Sequence, residues 1–148
     1  MSKELNILVV RGGGIGDIII SIPALFSLRE LHPECKITFL SNWDNVKDSS
    51  PIPLLYSLGV IDRHIPIPYI TNKSVFNYFQ LIKVLLKERK NFKFTICLRH
   101  SLRTVKAKIF DYLLFKIFLK ADIGIGFWNS TELGRYFLSV DDMYPMIQ

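Results

Sequence analysis

The chain has 148 residues and a mass of 17.2 kDa, the size of one α/β domain around one core, and its 49% hydrophobic and 22% charged residues exclude intrinsic disorder. Mean hydropathy is +0.25, yet the longest largely apolar stretch covers only residues 18–28 and contains Ser21, Pro23 and Ser27, about half of the roughly 20 apolar residues a bilayer span requires. The formal charge of +6 is unevenly spread: residues 83–120 hold eight lysines and three arginines against two acids, so the rest of the chain is net acidic and one stretch carries the positive surface.

Residues 5–11 (LNILVVR) are rich in β-branched side chains and end in a glycine cluster, which predicts a buried parallel strand. The opening apolar run stops at Arg11, too soon for a secretory signal. Residues 12–16 form a turn, and Asp17 begins a helix that lasts to about residue 31. Pro23 lies inside it and removes a helix hydrogen bond, so the helix kinks or a new one starts with Ser21 as its cap. Residues 36–40 (KITFL) predict a second strand. Residues 45–58 are weakly helical and broken by Pro51 and Pro53, and residues 63–67 read as a short third strand. Val75, Phe79, Ile82 and Leu86 recur at helical spacing with lysines opposite, which predicts an amphipathic helix packed on a sheet by those four residues. Residues 92–98 (FKFTICL) predict a fourth strand. Residues 105–119 are helical and apolar nearly all round, as in a helix sandwiched between layers, and residues 123–127 (IGIGF) predict a fifth strand. Strands alternating with helices in this way make a doubly wound parallel sheet, a Rossmann-like α/β fold.

The strand, glycine turn and helix invite a dinucleotide site, but the spacing fails. From Gly12 the third glycine of G-x-G-x-x-G falls on Asp17, and from Gly14 it falls on Ile19; no Gly-Lys-Ser/Thr follows for a nucleotide-phosphate loop either. A helix N-terminus attracts anions, and the Asp17 carboxylate at that place would repel a pyrophosphate. No cofactor is expected. Asp17 is open to two roles, helix cap or catalyst, and asparagine would serve the first equally well. Cys35 and Cys97 are far apart with no C-x-x-C, which reads as two reduced, half-buried thiols, and the scattered His32, His64 and His100 suggest no metal site.

Residues 7–42 contain a strand ending in Arg11, the small-residue loop Gly12–Gly13–Gly14, Gly16-Asp17, Pro23-Ala24-Leu25, and a second strand after Pro33. This series resembles the start of the family 9 glycosyltransferases, the ADP-heptose:lipopolysaccharide heptosyltransferases and their relatives. Residues 98–110 (LRHSLRTVKAKIF) are similar to that family's segment after its fourth strand, and residues 123–127 to its Ile-Gly-Phe strand; the resemblance covers about residues 7–138. It implies a GT-B glycosyltransferase built of two Rossmann-like domains, of which residues 1–148 would be the single N-terminal, acceptor-binding one. The C-terminal domain, which binds the nucleotide-sugar donor, is absent from this sequence, so the isolated chain is expected not to transfer sugar. The implied acceptor is a glycan or glycolipid, a lipopolysaccharide or related envelope glycan. The implied location is cytoplasmic, at the inner face of a bacterial inner membrane, with peripheral contact to its surface.

In inverting sugar transfer the acceptor hydroxyl loses a proton as it attacks the anomeric carbon. The resemblance assigns that proton to Asp17, at the carboxyl end of the first strand, with Gly14 and Gly16 keeping the loop thin enough for the acceptor to approach. Arg99 and Arg103 follow the fourth strand and would hold phosphate or carboxylate groups of the acceptor, or else neutralise helix ends and pair with Asp111 and Glu132. Ser101 and His100 offer hydrogen bonds to sugar hydroxyls, and Arg11 supports the loop from below. Without its second half the sheet should present an open groove along its strand ends, while Tyr136, Phe137, Leu138, Met143 and Met146 pack on the domain or on another chain. The contrasting expectation is a non-catalytic Rossmann-like module that contacts an acidic lipid or protein partner through residues 83–120. Nucleic acid ranks behind both, since the basic stretch carries no recognition motif.

Overall fold

The computed structural model describes residues 5–43, 49–67, 75–89, 91–98, 109, 113, 115–120 and 123–125. Its elements, in chain order, are β1 (Asn6–Val10), α1 (Ile15–Leu31), β2 (Lys36–Ser41), α2 (Ile52–Ser57), β3 (Arg63–Pro66), α3 (Val75–Lys87), β4 (Phe94–Cys97), the short π-helical turn labelled α4 (Phe115–Leu119) and β5 (Ile123–Ile125). The five strands form one all-parallel sheet in the order β3-β2-β1-β4-β5. The chain winds outward from β1 to one edge, then returns to the other side of β1, which makes the sheet doubly wound. The gap between the carboxyl ends of β1 and β4 is the switch point, where folds of this kind place their ligands.

The strands are apolar on both faces because both faces are covered. Leu8, Val10, Leu40 and Ile65 pack with Leu81 and Leu85 of α3 and Phe115 and Leu119 of α4, while Ile7, Val9, Ile37 and Phe39 pack with Ile18 and Leu25 of α1 and Ile52 and Leu55 of α2. Cys35 and Cys97 are fully rather than half buried, and belong to these separate clusters on opposite faces of the sheet. Burial raises the Cys35 thiol above its ordinary pKa. The hydrogen-bond ladders run a residue beyond several strand ends: Arg11 N–H donates to the Leu40 carbonyl at 3.0 Å, Ile67 N–H to Ser41 at 2.8 Å and Leu98 N–H to Val10 at 3.0 Å.

Four local expectations are corrected. Helix α1 is continuous through Pro23, and Ser21 caps nothing: its hydroxyl donates to the Ile18 carbonyl at 2.6 Å. The prolines near α2 start that helix instead of breaking it, with Pro51 at the cap and Pro53 in the first turn, where a missing N–H costs nothing. In α3 the buried face carries Leu81 and Leu85, with Ile82 partly buried, whereas Phe79 and Leu86 face outward. The helix has two apolar stripes, and periodicity alone could not say which one meets the sheet. The described part of the expected sandwiched helix is one-sided: Phe115 and Leu119 are buried, but Ile109, Leu113 and Ile117 are exposed.

Two ion pairs tie the edges of the layers. Arg29 near the end of α1 donates to the Cys35 carbonyl and to Asp62, both at 2.7 Å, and Asp62 also accepts the Ile37 N–H. Arg63 at the start of β3 grips the buried Glu88 beyond α3 with two parallel bonds of 3.0 and 2.7 Å, and Asn91 donates to the same carboxylate. These bonds hold Glu88 below the usual carboxylate range, chiefly through Arg63 and against the opposing effect of burial.

Candidate functional site

The glycine loop leaves β1 at the switch point and is held from three sides. Arg11, buried at the end of β1, turns its guanidinium across the crevice: Nη1 donates to the Leu98 carbonyl just beyond β4, Nε donates to the Asp17 carbonyl at 3.1 Å and Nη2 to Asp17 Oδ1 at 2.8 Å. One side chain thus joins β1, the residue after β4 and the first turn of α1. The expected supporting role of Arg11 is what the geometry displays. From the β2 side, Asn42 pinches Gly13, its Oδ1 accepting the Gly13 N–H at 2.8 Å, and Trp43 Nε1 donates to the Gly13 carbonyl at 3.0 Å. The Trp43 N–H donates at 3.3 Å to the buried Ser41 hydroxyl, which lies 2.9 Å from His64 Nε2. Neither Asn42 nor Trp43 carries a motif of its own; the parallel pairing of β1 with β2 brings them beside the loop.

Asp17 is not the first capping residue. Gly14 holds that position, and Asp17 stands three residues on, reaching back with Oδ2 to accept the Gly14 N–H at 2.9 Å, the carboxylate half of a capping box. Each carboxylate oxygen therefore accepts one bond from the protein, Oδ1 from Arg11 and Oδ2 from Gly14. A carboxylate has about four acceptor positions in all, and the Asp17 side chain is 44% exposed, so acceptor capacity faces solvent. This corrects the view that asparagine would replace it without loss. An amide can accept one of the two bonds only by turning its NH₂ toward the donor of the other, beside a buried guanidinium.

The glycines of the loop differ in what they do. Gly13 has φ +129°, and a Cβ there would lie 2.3 Å from Asp17 Oδ2, so both backbone and space demand glycine. At Gly16 a Cβ would meet nothing within 4 Å, and at Gly14 only Asp17 Oδ2 at 3.9 Å. Over these two residues the loop presents bare backbone to open space. Arg99, Ser101 and Arg103 lie outside the described residues, as do His100, Asp111, Glu132 and the apolar residues 136–146; Arg99 follows directly on Leu98, the residue whose carbonyl Arg11 holds. Among the described residues, no helix is long and apolar enough to cross a membrane.

The fold and the loop define a doubly wound α/β domain with a half-exposed carboxylate at its switch point. No family model and no curated protein matches the chain. Solved structures do match. ADP-heptose lipopolysaccharide heptosyltransferase II of E. coli superposes with a TM-score of 0.56 at 17% identity over 81% of this chain and 30% of its own. A family 9 glycosyltransferase from Veillonella parvula gives 0.54 at 21% identity over 84% and 32%, and E. coli heptosyltransferase WaaC gives 0.50 at 17% over 74% and 34%. The chain thus spans about a third of the length of the structures it matches. Its α/β architecture is one found within GT-B glycosyltransferases, as the resemblance of residues 7–42 implied.

Proposed function

We propose that the chain is the acceptor-binding half of an inverting glycosyltransferase that moves a sugar, heptose being the first candidate, from a nucleotide-sugar to a lipopolysaccharide or related envelope glycan. The donor would bind to a second Rossmann-like half outside this sequence. The reaction would take place at the cytoplasmic face of the inner membrane, where a glycolipid acceptor is presented. The observation that carries this reading is the Asp17 carboxylate, fixed by Arg11 and Gly14 at the switch point of a heptosyltransferase-like fold yet still open to solvent. In this reading the acceptor hydroxyl lies against Asp17 over the bare backbone of Gly14 and Gly16. Asp17 takes its proton as the oxygen attacks the anomeric carbon, and the nucleotide leaves from the opposite side. Arg99 and Arg103 would hold anionic groups of the acceptor, and Ser101 a hydroxyl, at the loop after β4.

A non-catalytic module is the second reading, and the bonds of Asp17 favour it to this extent: they explain the residue without any reaction. Two substitutions separate the readings in a form that includes the donor-binding half. Asp17→Asn removes the base and should lower sugar transfer by about 10²- to 10⁴-fold at temperatures where the variant remains folded. Arg11→Met breaks the same ion pair but leaves the carboxylate, and should cost much less activity. Transfer by Asp17→Asn at the parent rate, or equal losses in the two variants, would overturn the catalytic assignment.

A further inference from the structure

We propose that the outer face of α3, with α4 beside it, docks the protein on an anionic lipid surface. Helix α3 buries Leu81 and Leu85 in the core, and its other side presents Phe76, Phe79, Lys83 and Leu86 in successive steps of three and four residues, hence on one face. Phe76 and Phe79 are 67% and 68% exposed, the most exposed aromatic side chains among the described residues. Lys83 and Lys87 are exposed within the same stripe, and neither α3 nor α4 contains an acid. The acid that follows α3, Glu88, is buried and held chiefly by Arg63, with Lys87 a lesser electrostatic neighbour, so it offsets the stripe only at its end. Helix α4 packs against α3 on the same face of the sheet and adds exposed Lys116 and Ile117, with exposed Lys120 directly after it.

Large apolar side chains interleaved with lysines, and no acid among them, match the chemistry of an anionic bilayer: rings enter the headgroup boundary and ammonium groups meet lipid phosphates. The opposite layer supplies the contrast. Helix α1 also exposes apolar residues, Ile15, Ile19, Ile20 and Phe26, but lacks lysine altogether and exposes Glu30 beside them. Apolar exposure therefore occurs on both layers, and positive charge accompanies it on the α3 side. The inference deepens the membrane contact in the function proposed above. It is read without donor or acceptor, so failure of either leaves the other standing.

The test is co-sedimentation of the 148-residue chain with phosphatidylglycerol–phosphatidylethanolamine vesicles and with phosphatidylcholine vesicles. Binding should be confined to the anionic vesicles and weaken with added salt. Lys83→Glu with Lys87→Glu should reduce partitioning at least about 20-fold, from roughly 5-fold per basic residue. Phe76→Ser with Phe79→Ser should reduce it at least about tenfold, since each exposed ring stops contributing buried apolar area. Both double variants should remain folded at the assay temperature, and Ile20→Ser on α1 should bind as the parent does. Equal binding to neutral vesicles, binding indifferent to the α3 substitutions, or an α3 face that instead holds two copies together in sedimentation velocity would each overturn the proposal.

Discussion

Gly13 bears the tightest constraint in the loop, because the Asp17 carboxylate occupies the space any side chain would need. With φ at +129°, an L-residue there is strained even before the 2.3 Å approach to Asp17 Oδ2 is counted. Gly13→Ala should therefore cost at least about 2 kcal/mol in urea unfolding, while Gly14→Ala, at φ −77° with its Cβ in ordinary contact, should cost less than about 1 kcal/mol. Equal losses at the two positions would mean that the loop relaxes freely. The triple glycine marks this turn in the sequence, but which of its members is indispensable depends on where Asn42, Trp43 and Asp17 converge. Arg11 and Asp17 are legible as a basic strand end and an acidic helix start. Their bond, and the reach of Arg11 to Leu98 eighty-seven residues on, follow only from the adjacency of β1 and β4.

At the scale of elements, the Arg63–Glu88 pair fastens the end of α3 to the start of β3. The folded carboxyl titrates below its ordinary value of 4.5, so the native state binds fewer protons than the unfolded chain in that range. Its stabilisation is complete above the unfolded pKa and is lost as pH falls through the lower folded value. Unfolding free energy of the parent should thus fall from pH 6 toward pH 3 more steeply than that of Glu88→Gln. The variant should be weaker by about 1–2 kcal/mol near neutrality, since Glu88 is buried but Arg63 is half exposed. Parallel pH profiles for the two proteins would contradict this. Strand positions were readable because parallel strands covered on both faces become short β-branched runs. Helix orientation was harder: α3 has apolar residues on two sides, and burial of Leu81 and Leu85 was settled by the partners that the sheet supplies.

For the molecule as a whole, the function proposed gives the switch-point loop a base and a place for an acceptor but not the donor. Positioning of two reactants is worth many powers of ten in rate, and one half of a cleft cannot supply it. The isolated 148-residue chain should accordingly transfer no sugar above background when given a nucleotide-sugar and a glycolipid acceptor. Turnover by this chain alone, followed by release of the nucleotide, would show that the donor site is already contained in it.

The sequence by itself determined the fold class, the five strands, the mismatch of the glycine spacing to a dinucleotide fingerprint and the prominence of Arg11, the glycines and Asp17. Each of these is local: side-chain branching, the spacing of glycines and the position of one acid at a helix start are properties of a few consecutive residues. Only the tertiary structure decided that Gly13 is the sterically required glycine, that Asp17 lies three residues beyond the cap with both oxygens engaged, and that Phe76 and Phe79 look outward from a lysine-bearing face. Those facts depend on which segments become neighbours when the sheet winds in both directions from β1. A carboxylate's partners and a helix's buried side are fixed by contacts between residues far apart in the chain, and no window of sequence contains them.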